Sequence, residues 1–221
     1  MRSFIICFVI GVLFCTACQK EEIAALKTAG CSNCINFQSP EVGQESRYLA
    51  FEGEKFWEEQ PPFHYLNDTL IVRITGKTGD LFQVEEYRTS NPSDLLYRTF
   101  QIKSDTLYVK LIPRNNYPDS WLFSNVNTLE IPLNTVNQPV VELKGWNIPS
   151  FGEAAPAVGL LKDYQQLDII YDVLNVYQNY VPMTYDGPGS YILYGKDFGI
   201  VRSVSINPWQ AKGLGWDLMV Y

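Results

Sequence analysis

The residues of this 221-residue chain that suit acid–base or nucleophilic chemistry are few. Its single histidine, His64, can activate a serine or cysteine only if the fold brings one beside it, and the sequence has no G-x-S-x-G motif. The adjacent carboxylates Glu85 and Glu86 suit acid and base roles, but neighbouring side chains of a strand point to opposite faces. We therefore expect a β-bulge or two solvated charges there, and hydrolysis of an unknown substrate is the weakest of three functional hypotheses.

Cys31 and Cys34 form a C-x-x-C pair. Zinc would need two further ligands, and the sequence has no second C-x-x-C pair. A redox role would need a helix N-terminus that lowers a thiol pKa, and Ser32 and Asn33 give no sign of one. In an oxidising compartment we expect a local disulfide between Cys31 and Cys34, with a modest effect on stability because the loop is short. No metal or cofactor is expected.

Three tryptophans are candidates for ligand stacking. Trp146, Trp209 and Trp216 each lie near a glycine or proline, where a loop or strand end can expose a ring face to a sugar or an apolar ligand. Packing in the core is the alternative. The chain carries 17 Lys and Arg against 24 Asp and Glu, a net charge of −7, so we do not expect it to bind nucleic acid.

The N-terminal residues have the pattern of an export signal. Arg2 is positively charged, and residues 4–14 form an apolar run that is too short to cross a hydrocarbon core, which needs about 20 helical residues. The run ends at Cys15-Thr16-Ala17-Cys18, where two small residues precede the last cysteine. This pattern predicts a signal peptide over residues 1–17.

Two short motifs follow from the same region. Residues 15–18 resemble a bacterial lipoprotein lipobox, and Gln19-Lys20-Glu21-Glu22 resembles the surface-export tag of Bacteroidota lipoproteins. The resemblance implies lipid attachment at Cys18 through a diacylglycerol thioether, with a further acyl chain such as palmitate. It also implies an outer-membrane location, at the cell surface. A cleaved secretory signal with incidental cysteines is the alternative.

The rest of the chain divides into a tether and a β domain. Residues 18–46 have little periodic pattern and are predicted to be the lipidated cysteine and a flexible tether. Residues 47–221 consist of short runs rich in Val, Ile, Tyr, Phe and Thr, which predict one antiparallel β domain. Hairpins are predicted for residues 70–75 with 81–88 and for 97–102 with 106–112. Further strands are predicted at 121–123, 129–133, 140–146, 191–194, 200–206 and 215–221.

Residues 160–180 fit either a helical stripe or strand alternation, and their β-branched residues and tyrosines favour strand. Strands every ten residues or so predict an all-β fold, either a sandwich or an open or closed barrel. Residues 191–201 resemble the terminal hairpin of lipocalin-like and half-barrel lipoproteins.

The tripeptide Asp-Thr-Leu occurs twice, at residues 68–70 and 105–107. It resembles an O-glycosylation acceptor of exported Bacteroidota proteins, which makes Thr69 and Thr106 candidates for modification. Two strands with the same binary pattern are the simpler explanation of the repeat.

These signals together predict a surface-exposed outer-membrane lipoprotein with a non-catalytic β domain. Its expected partners are the membrane, through the lipid on Cys18, and either a small hydrophobic or sugar ligand or an outer-membrane protein. The alternatives are a structural subunit of an outer-membrane complex and a hydrolase.

Overall fold

The computed structural model describes residues 26–27, 31, 34–54, 63–113, 120–123, 128–134, 137–141, 157–180, 189–207 and 212–220. These residues form an all-β domain, which confirms the predicted fold class. No helix among them has the length and apolar character that a membrane span requires. The strands are β1 (Leu26–Lys27), β2 (Glu45–Glu54), β3 (Phe63–Thr78), β4 (Leu81–Arg88), β5 (Asn91–Lys103), β6 (Thr106–Leu111), β7 (Thr128–Pro132), β8 (Ala157–Gln166), β9 (Ile169–Tyr180), β10 (Gly189–Gly195), β11 (Gly199–Asn207) and β12 (Lys212–Met219).

Eleven of these strands, β2 to β12, form an antiparallel and nearly closed barrel. Each strand pairs with its neighbour in sequence, except that β12 pairs with β2 and that β7 does not pair with β8. Residues 139–141 lie along β8, because Val141 N–H donates to Leu160 O at 2.7 Å and Leu160 N–H donates to Pro139 O at 2.8 Å. The short strand β1 adds in parallel to the start of β9.

Most of the predicted strands are confirmed. Both predicted hairpins are present as β3–β4 and β5–β6. The first Asp-Thr-Leu segment lies within β3, and the second begins in the β5–β6 turn and continues into β6. Residues 160–180 contain the β8–β9 hairpin, so the strand interpretation is correct. The strand predicted at 121–123 is wrong, because Ser120 Oγ accepts the backbone N–H groups of Leu122 and Phe123 and bends the chain. Of the strand predicted at 140–146, Val140 makes one bridge, and residues 142–146 lie outside the described part.

The barrel interior is filled by alternate side chains of its strands. In β3, Leu70, Val72 and Ile74 are buried, and the rings of Phe82 in β4 and Phe100 in β5 stack at 4.9 Å. Each such apolar side chain contributes about 1.5–3 kcal/mol when it is fully buried. The two-residue period that identified these strands in the sequence is therefore the period of the core.

One end of the barrel is closed by a segment that we call the plug, residues 34–37 together with Cys31. Cys31 and Cys34 are joined by a disulfide, and both are buried with Ile35 and Phe37. Ile35 N–H donates to Ser46 Oγ at 2.9 Å, and Phe37 N–H donates to a backbone carbonyl in the β10–β11 turn at 2.8 Å. These residues fall within the range predicted as a tether, yet they pack as part of the core.

The sheet is buried on both faces where it contains β10, β11 and β12. Adjacent residues of a strand point to opposite faces, so Trp216 and Asp217, which are 2% and 0% exposed, lie on different sides of β12. The β11–β12 pairing ends at Arg202 and Asp217. Beyond that point the two strands separate. The side-chain amide of Gln166 in β8 donates to the backbone carbonyls of Val201 and Leu218, at 3.2 and 3.5 Å. Gln166 therefore supplies a hydrogen-bond donor to two carbonyls that no longer face a partner strand across the gap.

Candidate functional site

A buried ion pair joins β11 and β12 on the face of the sheet opposite Trp216. Arg202 and Asp217 are cross-strand neighbours, with Nε 3.1 Å from Oδ1. The Tyr65 hydroxyl of β3 donates to Asp217 Oδ2 at 2.9 Å, and Arg202 Nη1 donates to the Tyr164 hydroxyl of β8. We call these four residues the tyrosine-lined ion pair. They connect three separate parts of the sheet through one carboxylate and one guanidinium.

Burial controls the ionisation of this cluster. It raises the pKa of Asp217 to about 6, although Arg202 and the Tyr65 hydroxyl lower it. Burial also raises the pKa of Tyr65, and the charge of Asp217 adds to that effect, so Tyr65 stays a hydrogen-bond donor at neutral pH. A carboxyl that titrates near pH 6 is typical of acid–base sites. Asp217 has no exposed surface, however, so in this arrangement it positions Tyr65 and does not meet a solvent-borne substrate.

Two aromatic side chains are exposed above this ion pair, and we call Phe63 and Tyr65 the aromatic rim. They are 46% and 39% exposed, whereas the ring of Phe51 behind them is fully buried. The three ring centroids lie 5.6 to 6.1 Å apart in edge-to-face contacts. The Arg202 guanidinium lies 4.3 Å from the Phe51 centroid. The rim is therefore fixed by buried contacts while its rings remain accessible.

A glycine makes this packing possible. Gly215 is the cross-strand neighbour of Phe51, and a Cβ at Gly215 would lie 2.1 Å from the Phe51 ring. Any side chain there would displace the ring that supports the aromatic rim.

Glu86 occupies the barrel interior, contrary to the expectation of a solvated charge. Its side chain is 1% exposed and pairs with Arg98 Nη1 at 2.8 Å. It also accepts the Trp121 backbone N–H at 2.9 Å and the Ser120 hydroxyl at 3.0 Å. The expected bulge is present, between Glu86 and Arg88. Glu86 can be buried because these three donors replace water around its carboxylate.

The residues of the hydrolase hypothesis do not form one group. Glu85 is the cross-strand neighbour of Arg73 and points to the face opposite Glu86. His64 lies nine residues from Arg73 along β3, roughly 30 Å at the rise of a strand. His64 is 67% exposed and lies 3.2 Å from Glu52 in an open groove of about 210 Å³. In the described part of the chain, no cluster of three or more His, Cys, Asp or Glu side chains has the geometry to hold a metal ion.

The described part of the barrel contains a small internal cavity. A cavity of about 10 Å³ lies between Phe123, Tyr177 and Ile192, which is space for about one water molecule. A sugar or an apolar small molecule does not fit there.

The structure describes some of the other candidate residues. Trp216 is buried against Trp121, with ring centroids 6.4 Å apart, and so presents no open ring face. Thr69 and Thr106 are partly exposed, and the aspartates before them make ion pairs with other residues, Asp68 with Arg88 and Asp105 with Lys196. Cys18, Trp146 and Trp209 lie outside the described residues, so their roles stay predictions.

Sequence analysis missed Arg202, Asp217, Tyr65 and Phe63. The signal for Asp217 was available, because it is the one charged residue in the apolar run 214–220 and a charge at such a position needs a buried partner. Nothing in the sequence indicated that Arg202 is that partner. No protein-family model matches the sequence, and no curated protein matches it.

Proposed function

We propose that this protein is a surface-exposed outer-membrane lipoprotein, anchored by a lipid on Cys18, whose β barrel binds a ligand or partner without catalysis. The anchor rests on the apolar run, the small residues before Cys18 and the acidic tag after it. Two or three acyl chains on one cysteine hold a protein firmly at a membrane, because each buried methylene contributes about 0.8 kcal/mol.

The observation that carries the binding role is the aromatic rim. Phe63 and Tyr65 expose large ring surfaces, yet edge-to-face contacts and the Tyr65–Asp217 hydrogen bond hold them in one arrangement. Rigid aromatic side chains bind well because little conformational freedom is lost on contact.

A non-catalytic role is favoured by the state of the ionisable groups. Asp217 and Glu86 are the two most deeply buried carboxylates among the described residues, and both are held by arginines and by hydrogen-bond donors of this chain. Such charges stabilise a particular arrangement of strands. They are not free to exchange protons with a substrate.

The binding role is tested with Phe63→Ser in the otherwise intact lipoprotein. Tyr97→Ser is the matched control, because Tyr97 in β5 is 45% exposed and lies outside the rim. Binding to soluble bacterial polysaccharides and to purified outer-membrane vesicles is measured for both variants. We expect the affinity of Phe63→Ser for one of these probes to fall at least tenfold, and the affinity of Tyr97→Ser to change little. Equal binding by the two variants would contradict a role for the rim, and a loss on vesicles alone would favour the structural-subunit alternative.

The anchor is tested separately with Cys18→Ala. Cys15→Ala is the control, because Cys15 also lies at the end of the apolar run. We expect Cys18→Ala to lose both its lipid mass in mass spectrometry and its accessibility to protease on intact cells, and Cys15→Ala to keep both. An unmodified N-terminus in the native protein would overturn the anchor.

A further inference from the structure

The exposed face of β2 changes along the strand. Ala50 is buried in the core, as are the residues two and four positions before it. Glu52 and Glu54 continue the same face of the strand, because its pairing with β12 is unbroken there, and both are exposed. Phe51 and Gly53, which point to the opposite face, are buried instead. The wall that faces the core is therefore open to solvent at this end of β2.

The strand β12 shows the same change at the same level. Lys212 and Leu214 are exposed, and they share a face with Trp216, which is buried in the core. Lys212 is the cross-strand neighbour of Glu54, and Leu214 is that of Glu52. Two adjacent strands thus expose their inner faces side by side. The mouths of β barrels are among the common locations of ligand sites.

A groove of about 210 Å³ lies on this exposed inner wall, and we call it the mouth groove. Its side chains are Glu52 and Glu54 of β2, His64 of β3 and Lys212 of β12. His64 Nε2 lies 3.2 Å from Glu52 Oε1, and Lys212 Nζ lies 3.6 Å from Glu54 Oε1. The backbone of two glycines that face each other across β2 and β12 completes the lining. The groove therefore offers hydrogen-bond donors and acceptors on three neighbouring strands.

The lining limits the chemistry of a ligand. Two carboxylates face one lysine ammonium in the groove, so an anion such as phosphate is repelled. An apolar ligand would displace water from charged groups and give them no partner in return. Across the described residues, no group of three or more His, Cys, Asp or Glu side chains is placed to hold a metal ion. These exclusions favour a ligand that is polar and carries no net charge.

Hydroxyl groups match the unused hydrogen-bonding capacity of the groove. Each carboxylate lies beside one cationic or titratable partner and keeps further lone pairs that accept hydrogen bonds, and the Lys212 ammonium keeps further N–H donors. A sugar hydroxyl both donates and accepts, so neighbouring hydroxyls of one ring can bond a carboxylate and the ammonium together. Such bonds are strong because one partner is ionised. Leu214, which is 37% exposed beside this lining, offers apolar surface to the C–H groups of a ring.

We propose that the mouth groove is a binding site for a short neutral sugar, whose hydroxyls bond to Glu52, Glu54 and Lys212. The site is separate from the aromatic rim, because Phe63 and His64 are consecutive residues of β3 and point to opposite faces of the sheet. It goes beyond the proposed function, which places binding at the rim, and it does not depend on the lipid anchor.

The test applies the full-length protein to an array of short neutral oligosaccharides, in a polyoxyethylene detergent that contains no sugar. Affinity for the sugars that bind is then measured by calorimetry for Glu52→Ala and Lys212→Ala. Glu41→Ala and Lys196→Ala are the matched controls, because Glu41 is exposed ahead of β2 and Lys196 forms a partly exposed pair with Asp105 at 3.0 Å. We expect each groove variant to lose at least about tenfold in affinity and each control to change little.

Two further measurements identify the ligand class and the site. Affinity for a neutral sugar should change less than about twofold between about 0.05 and about 0.5 M NaCl, because salt screens only charged ligands strongly. Phe63→Ser should bind the sugar as wild type does. Thermal unfolding checks that all variants remain folded, as expected for side chains in exposed ion pairs.

Three results would overturn the site. They are an array on which no neutral sugar binds, binding that Glu52→Ala and Lys212→Ala leave unchanged, and binding that weakens steeply with salt. If Phe63→Ser loses the sugar while the two groove variants keep it, the sugar lies on the aromatic rim. That result would overturn the mouth groove as the site and support the proposed function.

Discussion

Replacing Arg202 by methionine tests the account of the tyrosine-lined ion pair most directly. Methionine keeps an unbranched apolar stem beside the Phe51 ring, which lies 4.3 Å from the guanidinium, but it removes the positive charge. Asp217, which has no exposed surface, then keeps the Tyr65 hydroxyl as its hydrogen-bond donor and has no cation beside it. Removing one partner of a buried ion pair costs about 3–5 kcal/mol of unfolding free energy.

The loss of unfolding free energy caused by Arg202→Met should increase with pH. The pKa of Asp217 in the folded protein, about 6, lies above its ordinary value of 3.8, so the folded protein holds this proton more tightly than the unfolded chain. Stability therefore falls as the pH rises through about 6. Removing Arg202 removes a group that lowers this pKa, so ionisation of Asp217 becomes more costly in the variant. The difference in unfolding free energy between wild type and Arg202→Met should be large at about pH 7.5. It should be small at about pH 5, where the Asp217 carboxyl is mostly protonated.

The assay is thermal and urea unfolding of both proteins at these two pH values. For a domain of this size, about 3–5 kcal/mol corresponds to a fall in Tm of roughly 6–20 °C. Lys212→Met is the control, because Lys212 and Glu54 form an exposed pair at 3.6 Å that should contribute less than about 1 kcal/mol at either pH. Arg202→Met combined with Asp217→Asn should recover most of the loss at about pH 7.5. A loss that is the same at both pH values and is not recovered in the double variant would refute the electrostatic reasoning and assign the effect to packing.

Three further variants test other contacts. Gln166→Leu leaves two backbone carbonyls in the gap between β11 and β12 without their donor. Urea unfolding should show that the free energy of unfolding falls by about 2 kcal/mol or more. An unchanged urea midpoint would contradict this role of Gln166. Gly199→Ala places a Cβ 2.0 Å from Ile35 O, at a backbone φ of +68°. We therefore expect the free energy of unfolding to fall by at least about 1 kcal/mol, and the backbone amides of the plug to exchange faster with solvent. Unchanged amide exchange in the plug would show that it tolerates the methyl group. Burial raises the pKa of Asp68, but Arg88 and Ser90 outweigh it and hold the pKa below 3.8, so the stability that Asp68 contributes is present above that pH and lost in acid. Asp68→Asn should therefore lower the unfolding free energy by about 1.5–3 kcal/mol at neutral pH, and the two proteins should converge in acid; a constant difference across the titration would contradict this ionisation.

The strands were predictable because their burial follows the two-residue period of a sheet. In β6, for example, Leu107, Val109 and Leu111 are buried and alternate with partly exposed or exposed residues. The turn at Ser104-Asp105 was recognisable from its residue types, and both residues have the positive φ that such turns require. Local sequence thus determined the hairpins.

The plug and the tyrosine-lined ion pair were not predictable in the same way. In the plug, Ile35 and Phe37 are separated by Asn36 and preceded by the C-x-x-C pair. This segment is too short to show the two-residue alternation of a strand. Their burial depends on the open end of a barrel that forms from residues far along the chain. Likewise, Tyr65 and Asp217 meet across 152 residues of sequence, and no motif marks such a contact.

Pairing of β12 with β2 joins the first and last strands of the barrel, through contacts such as Met219 with Arg47. A chain that has been synthesised only as far as β11 still lacks the strand that closes the sheet, and both of the edges it would join remain open. Contacts between such distant residues form slowly, because a long loop must close before they are made. The sheet therefore closes only when β12 (Lys212–Met219) has paired with β2, so the strands β2 to β11 depend on a late segment of the chain for the completion of their barrel.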